Sequence, residues 1–308
     1  MTSIDQPVEI AQPRVAARRR RRPTLGRGNW WRHLIALGAV AVALAPLAYV
    51  LSAAFNADQT LRGASLIPRS VTLQNFRDMF HDPNPQHDTR YWTWYLNSYV
   101  IAAAAAVLNV MLGALAAYAF SRFRFRGRRF GMMALLLIQM FPAFLALVAI
   151  YLILLTTGEV FSTLGLNSRP ALILVFLGGA MGVNAWLMKG FFDTIPAELD
   201  ESARVDGATP AQIFWGVILP LAAPVLAVVG IITFVFLLNE FIITSALLQT
   251  KDKFTLPVGL RGYINEKYSE QWGPFAAGAV LAAAPVVVLV MSFQRFFVRG
   301  LTSGAVKG

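Results

Sequence analysis

Acidic and small side chains are concentrated in one short stretch, ELDESARVDGATPAQIFWGVILP, which covers residues 198–220. With Asp193 just before it, this stretch holds five of the sixteen acidic residues of the chain, and it lies between two long apolar runs. Carboxylates accept hydrogen bonds, and small side chains let another backbone approach closely. The chemistry that these residues offer is therefore docking to another protein.

The alternative interpretation of this stretch is a loop that lies on lipid head groups. A surface that faces anionic lipid should be basic. Residues 189–216 contain two basic residues, Lys189 and Arg204, against five acidic ones. The charge balance therefore favours a docking surface.

Local signals predict how the first half of this stretch folds. Pro196 suits the first turn of a helix, with Asp193 and Thr194 as possible caps. Residues 197–206 continue with good helix formers, and Gly207 is expected to end the helix.

A second helix is predicted directly after this glycine turn. Thr209-Pro210-Ala211-Gln212 has the pattern of a capping box, with Pro at the first helical position. This helix is expected to continue through Pro220 into the next apolar run, so that the stretch forms a helix, a glycine turn and a helix.

Residues for catalysis or for cofactor binding are not found in any recognisable pattern. The chain has no cysteine, and His33, His81 and His87 lack the spacing of a metal motif, so we expect no metal site. No Gly-Lys pair and no GxSxG motif occur, which excludes a GxxxxGK[ST] phosphate loop and a nucleophile elbow. We therefore expect a non-catalytic chain that binds no cofactor itself.

The composition is that of a membrane protein: 56% of the 308 residues are hydrophobic and 14% are charged. Six apolar runs are long enough to cross a bilayer as helices. We therefore predict an all-α polytopic membrane protein with a basic tail (1–33), a membrane domain (34–294) and a C-terminal tail (295–308). Its predicted spans are residues 34–55, 97–120, 131–155, 171–188, 217–240 and 275–294.

The distribution of Lys and Arg predicts the orientation of these spans. Both tails, the loop that begins at Ser121 and residues 189–216 together hold 18 of the 27 basic residues and a net charge of +11, whereas the opposite side nets zero. Both termini and the stretch 198–220 are therefore expected on the cytoplasmic side. The Arg-rich segment at residues 14–22 also permits nucleic-acid binding, but topology accounts for its charge, and we expect no nucleic-acid partner.

Polar residues, prolines and glycines within the spans have two interpretations each. Polar residues in or at the edge of spans are expected to bond between helices or, as the alternative, to line a polar passage; they are Asn109, Gln139, Asn184, Asn239 and Glu240. Prolines expected inside helices, where each permits a kink, are Pro46, Pro142, Pro224 and Pro285. Gly178 and Gly182 have the small-xxx-small spacing of close helix packing. The same residues serve a deformable bundle or ordinary packing.

The stretch resembles the EAA loop of permease subunits in binding-protein-dependent ABC importers. The matching residues are Glu201-Ser202-Ala203, Asp206-Gly207-Ala208 and Val217-Ile218-Leu219-Pro220. Ser202 stands where this family usually has Ala and Val217 where Ile is common, and both keep size or shape. Residues 177–179, 189–192, 271–277 and the tail FVRGLTSGAVKG are similar to the MalG-like subunits of maltose-type carbohydrate importers.

This resemblance implies a type I ABC importer permease (MetI-like) bundle with a cytoplasmic coupling helix in residues 193–220. The residues that it assigns to contact with the ATPase are Glu201, Ser202, Ala203, Asp206, Gly207, Ala208, Leu219 and Pro220, with Gly304, Val306 and Lys307 in the C-terminal tail. The residues that it assigns to contact with a sugar-binding protein are Tyr263, Asn265, Tyr268 and Trp272. No sugar ligands are assigned, because in maltose systems the membrane sugar site belongs chiefly to the partner permease.

The resemblance further implies partners and a function. The partners are a second, MalF-like permease subunit, a homodimeric MalK-like ATPase that carries ATP and Mg, an extracellular sugar-binding protein and membrane lipid. The implied function is to form half of a pathway for maltose or malto-oligosaccharides across a bacterial cell membrane. The alternative within this class is another sugar, such as trehalose.

Two other classes of function remain to be compared. A stand-alone secondary transporter or channel is disfavoured because repeat symmetry and paired broken helices are not evident in the sequence. An intramembrane enzyme is disfavoured because no catalytic constellation is present.

Overall fold

The computed structural model describes residues 30–57, 68, 70–81, 90–264 and 271–302. The chain divides into two compact units, residues 1–47 and 48–308. The described residues are almost entirely helical, with one isolated antiparallel bridge between Asn56 and Val71. The predicted all-α class is thereby confirmed.

Helices α1 to α12 follow one another along the described residues. Their bounds are α1 Trp30–Phe55, α2 Gln74–Phe80, α3 Tyr91–Arg122, α4 Arg128–Met140, α5 Leu147–Val160, α6 Arg169–Phe192, α7 Ala197–Val205, α8 Pro210–Ile213, α9 Leu219–Leu238, α10 Ile242–Leu247, α11 Leu256–Arg261 and α12 Trp272–Thr302. A π-helical turn at Phe214–Ile218 joins α8 to α9.

Four continuous helical stretches are long and apolar enough to cross a membrane. They are Trp30–Phe55, Tyr91–Arg122, Pro210–Leu238 and Trp272–Gln294. Two bent pairs raise the number of candidate spans to six if each pair is counted once; they are Arg128–Met140 with Phe144–Val160, bent by 79°, and Arg169–Gly178 with Gly182–Phe192, bent by 55°. Each of the six predicted apolar runs overlaps one of these candidates.

The first bent pair results from Pro142. Phe141 is extended, with φ −71° and ψ 123°, because the residue before a proline is disfavoured in the helical region. α4 therefore ends at Met140, and Pro142 separates two helices instead of kinking one. The expectation of a proline inside a helix is wrong here, whereas Pro46, Pro224 and Pro285 do lie inside helices. The two bent pairs are broken helices that were not evident in the sequence. A lack of broken helices is therefore no longer an argument against a stand-alone carrier.

Helix α3 lies at the centre of the second unit, where it packs against α6 and α9. Small residues on its packed face are buried; they are Ala102, Ala105, Ala106, Ala114 and Ala117. Small side chains allow helix backbones to approach closely in a membrane, where no hydrophobic effect drives helices together. The alanines thus let α6 and α9 pack closely on α3.

Three of the five polar residues bond between helices as predicted. Asn109 Nδ2 of α3 donates to Phe176 O of α6 at 3.4 Å, and Asn184 Nδ2 of α6 donates to Thr233 Oγ1 of α9 at 3.2 Å. Gln139 Oε1 of α4 accepts the Val183 N–H at the bend of α6. Each of these bonds satisfies a polar group that would be costly to leave unpaired in lipid.

The other two polar residues bond locally, so the prediction of bonds between helices is wrong for them. Asn239 Nδ2 donates to Val235 O of its own helix at 2.8 Å. Glu240 accepts the N–H groups of Ile243 and Thr244, at 2.8 and 3.0 Å, and so caps the first turn of α10. Both residues lie just past the end of α9, where the free carbonyls of its last turn and the free N–H groups of α10 are within reach.

Of the paired glycines, Gly182 is the one at a close approach. A Cβ atom at Gly182 would lie 2.5 Å from both Leu135 O and Gln139 Oε1 of α4, whereas a Cβ at Gly178 would meet no described atom within 4 Å. Gly182 therefore permits the contact between α4 and the bent part of α6.

Gly259 of α11 provides a test of the packing around Trp94, near the start of α3. A Cβ at Gly259 would lie 2.2 Å from two ring atoms of Trp94, and Trp94 is 5% exposed. Because this ring has no room to move, we expect Gly259→Ala to destabilise the protein by about 1–3 kcal/mol. The measurement is the thermal unfolding temperature of the protein in detergent.

The matched control is Gly190→Ala in α6, where a Cβ would meet no described atom within 4 Å. We expect this change to be neutral or slightly stabilising, because Ala favours helix over Gly by about 1 kcal/mol. Equal unfolding temperatures for the two variants would contradict the packing described around Trp94.

Candidate functional site

Residues 193–220 form a polar hairpin in which α7 and α8 are joined by a left-handed turn. Gly207 has φ +85°, in the region that favours glycine. The Gly207 N–H donates to Arg204 O at 3.0 Å, and the Ala208 N–H donates to Ala203 O at 2.9 Å. This pair of bonds is the Schellman motif, so the predicted end of the first helix is confirmed.

The predicted start of the second helix is also confirmed. The Gln212 N–H donates to Thr209 Oγ1 at 3.3 Å, and the Thr209 N–H donates to Gln212 Oε1 at 2.8 Å. Pro210 occupies the first helical position. The helix widens to a π-turn before Pro220. Pro220 has no N–H to donate to the carbonyl four residues earlier, and in a regular α-helix its ring would clash with that carbonyl.

The predicted caps of α7 are wrong. The N-cap is Pro196, which makes no side-chain cap bond. Thr194 Oγ1 donates backwards to Phe191 O at 2.7 Å, and Asp193 Oδ1 accepts a bond from Ser121 Oγ at 2.7 Å. The two side chains are thus used to close the end of α6 instead of starting α7.

Asp193 also forms an ion pair with Lys189, one turn earlier on α6. Partial burial would raise the pKa of Asp193, but the hydrogen bonds from Lys189 and Ser121 and the charges of Lys189 and Arg128 lower it below its usual value. The carboxylate therefore stays charged at neutral pH and ties the start of the hairpin to the end of α3.

The hairpin residues that the resemblance assigns to contact with the ATPase lie on two faces. Those that are exposed are Glu201, Ser202, Asp206, Gly207 and Pro220, and those that are half-buried are Ala203, Ala208 and Leu219. The exposed face also carries apolar side chains: Val205 is 88% exposed and Leu199 is 41% exposed. An exposed surface that combines acidic, small and apolar residues suits a protein partner.

A buried ion pair, which the sequence reasoning missed, holds this hairpin on α3. Asp200 Oδ2 lies 2.9 Å from Arg122 Nε, a contact at ion-pair distance without an aligned hydrogen bond, and the two side chains are 4% and 10% exposed. Arg122 Nη2 donates to Ile195 O at 3.0 Å. On α7, Asp200 and Ala203 lie on the face opposite Glu201 and Val205. This helical spacing was a signal in the sequence that Asp200 points inward.

Apolar packing supports the same attachment. Ile213, Phe214 and Ile218 are buried in one cluster with Tyr118 of α3 and Phe192 of α6. Ala203 and Ala208 pack against this cluster. The inner face of the hairpin is therefore part of the core of the helical bundle, while its outer face is left exposed.

The other resemblance-derived contacts are only partly described. Tyr263 is 6% exposed, and its hydroxyl donates to Met79 O at 2.8 Å, so its side chain is bound within the bundle; its contact with a sugar-binding protein stays a prediction. Trp272 is half-buried and meets Phe275 edge to face. Asn265 and Tyr268, together with Gly304, Val306 and Lys307 of the C-terminal tail, lie outside the described residues.

A second ordered surface, the 249–256 segment, lies at the opposite end of α3. Asn167 Oδ1 accepts the N–H groups of Gln249 and Thr250, at 3.0 and 3.2 Å. The pKa of Asp252 is lowered, first by its hydrogen bond with Thr250 and then by the charges of Lys253 and Arg90. This segment thus presents a backbone held by Asn167 and carries Lys251 and Lys253 beside Asp252.

Comparisons with known proteins agree with this architecture. Residues 109–303 match the family model described as binding-protein-dependent transport system inner membrane component. The galactooligosaccharides transport system permease protein GanQ of Bacillus subtilis (strain 168) is 38% identical over 275 residues, which cover 89% of this chain and 94% of that protein. The maltose/maltodextrin transport system permease protein MalG of Escherichia coli (strain K12) is 38% identical over 285 residues, which cover 90% and 95%.

A solved structure shows the same fold. A chain of a bacterial ABC transporter involved in the import of the acidic polysaccharide alginate superposes with a TM-score of 0.73 at 25% identity. The match covers 90% of this chain and 100% of that chain. Because the family model matches most of the chain and the relatives match nearly all of it, the chain belongs to the family of inner membrane components of binding-protein-dependent transport systems, the permease subunits of ABC importers.

Proposed function

We propose that this permease subunit forms half of the translocation pathway of an ATP-driven importer for maltose and malto-oligosaccharides. The observation that carries the proposal is the polar hairpin, whose inner face is packed on the bundle while its acidic, small and apolar outer face is exposed. Such a surface on a chain that has no phosphate-binding loop suits contact with a separate ATPase. The hairpin then acts as the coupling helix.

The proposed orientation places both termini and the hairpin in the cytoplasm. The segments assigned to that side hold 18 of the 27 Lys and Arg residues, as the positive-inside rule requires. The 249–256 segment then lies on the outer side, where a sugar-binding protein would meet it. The remaining partners are a MalF-like second permease and a homodimer of a MalK-like ATPase.

The substrate class comes from the names of the relatives. The protein from Escherichia coli is named for maltose and maltodextrin, and the protein from Bacillus subtilis for galactooligosaccharides, at the same identity of 38%. Neutral oligosaccharides are common to both names. Galactooligosaccharides are therefore the second candidate substrate.

The proposed mechanism is alternating access driven by the ATPase. Closure of the ATPase dimer on ATP moves the docked hairpins, and the paired bundles change from inward-facing to outward-facing while the binding protein releases sugar. A shift of such an equilibrium from 1:99 to 99:1 needs about 5.5 kcal/mol of differential binding. The hairpins have to transmit this free energy, because the chain has no recognisable nucleotide site.

Reconstitution in liposomes tests this function against a stand-alone carrier. We expect the complex of both permeases, the ATPase and the binding protein to take up maltodextrin when ATP is present, and the isolated chain to transport none. Titration of the binding protein with malto- and galacto-oligosaccharides distinguishes the two substrates. Sugar flux through the isolated chain would contradict the proposal.

Substitution of Gly207 tests the role of the hairpin turn. Gly207 has φ +85°, and a β-branched residue there costs roughly 1–2 kcal/mol. We expect Gly207→Val to distort the turn, and so to reduce both co-purification of the ATPase and sugar uptake. Gly207→Asn is the matched control, because Asn tolerates the left-handed region and should keep more of both. Full uptake by a normally assembled Gly207→Val complex would refute the docking role.

A further inference from the structure

Helix α3 makes polar contacts at both of its ends to segments that are distant in sequence. It is one uninterrupted helix of 32 residues, about 48 Å long at 1.5 Å per residue. The neighbouring span formed by α4 and α5 is bent by 79°, and the neighbouring α6 is bent by 55°. A displacement can pass along a continuous helix without the loss that a bend allows.

The end of α3 near Arg122 is attached to the polar hairpin on both sides of α7. Before α7, Ser121 donates to Asp193 and Arg122 Nη2 donates to Ile195 O. Within α7, Arg122 Nε pairs with the buried Asp200 at 2.9 Å. After α7, Tyr118 Oη donates to Pro210 O at 3.3 Å. These contacts, all from the last five residues of α3, bind the hairpin to the helix.

The end of α3 near Tyr91 is attached in the same way to the 249–256 segment. Trp94 Nε1 donates to Lys251 O at 2.7 Å, and Asn97 Nδ2 donates to Asp252 O and Phe254 O at 3.0 and 2.9 Å. Ser98 Oγ accepts the Leu256 N–H at 2.7 Å.

The three side chains that make these bonds are 2–5% exposed. Their bonds go to backbone atoms, and so they fix the position of the segment whatever its side chains are.

We propose that α3 connects the hairpin and the 249–256 segment as one rigid body, so that the state of the ATPase at one membrane face is communicated to the sugar-binding protein at the other. In this proposal Arg122 and Asp200 are positioning residues at one end of α3, and Trp94, Asn97 and Ser98 are positioning residues at the other end. The proposal rests on the proposed function, because it requires the hairpin to contact the ATPase and the 249–256 segment to lie on the outer side.

The test weakens each end separately and measures the ratio of ATP hydrolysis with binding protein to hydrolysis without it. The variants are Asp200→Asn and Asn97→Leu, each in the complete complex. Allosteric couplings of 1–3 kcal/mol correspond to factors of about 5–150, so we expect this ratio to fall by at least about fivefold in both variants. A merely structural role would reduce the yield of the complex and both rates together, and leave the ratio unchanged.

The controls make the same chemical changes away from the two attachments. Glu159→Gln removes an exposed acid at the end of α5, and Asn239→Leu removes an exposed amide that bonds to the last turn of α9. Both controls should keep the ratio of the unmodified complex. If Asp200→Asn or Asn97→Leu does not assemble, Tyr118→Phe and Ser98→Ala are the milder variants at the same ends, each removing one hydrogen bond.

The outcomes separate the two proposals. An unmodified complex that shows no sugar uptake and no stimulation by the binding protein would overturn the proposed function. An unmodified complex with normal stimulation, together with assembled variants that keep the full ratio at either end, would overturn the role of α3 alone. Loss of the ratio at both ends, with assembly and the controls unaffected, supports it.

Discussion

The contact between Arg122 and Asp200 is the interaction on which the arrangement of the polar hairpin depends. Asp200 is 3% exposed, and an unpaired carboxylate at that depth would be strongly destabilising. The charge of Arg122, at the end of α3, compensates it, and the inward position of Asp200 leaves Glu201 and Val205 on the exposed face of α7. Together with the apolar packing of the inner face, this pair sets which side of α7 is exposed, and so defines the surface proposed to meet the ATPase.

A second constraint is the need to satisfy backbone groups in lipid, which has to be met at the bends of the neighbouring spans. Pro142 interrupts the span of α4 and α5, and the Val183 N–H at the bend of α6 is satisfied by Gln139 of α4. α4 therefore supports the bend of α6, because irregular backbone is tolerated at membrane depth only where protein satisfies its polar groups. α3 requires no such support, and its continuity suits it to connect the two faces of the membrane.

Features that depend on local chemistry could be predicted from the sequence, whereas those that depend on tertiary contacts could not. The glycine turn at Gly207 and the capping box at Thr209 involve residues within a few positions of each other, and both are present. The expected capping role of Asp193 was wrong because a distant partner, Ser121, binds it instead, and the burial of Tyr263 likewise depends on the distant Met79. The buried position of Asp200 likewise requires Arg122, which lies 78 positions earlier in the chain.

The central claim is that the exposed face of the hairpin lies in the cytoplasm and is covered by the ATPase. The chain has no cysteine, so that Glu201→Cys introduces a single reactive thiol. The most direct measurement is the labelling of this thiol by a membrane-impermeant maleimide, in intact cells, in inverted vesicles that contain the permeases alone, and in inverted vesicles with the whole complex. We predict labelling only in the vesicles that lack the ATPase. Labelling in intact cells, or equal labelling of both kinds of vesicle, would contradict the account.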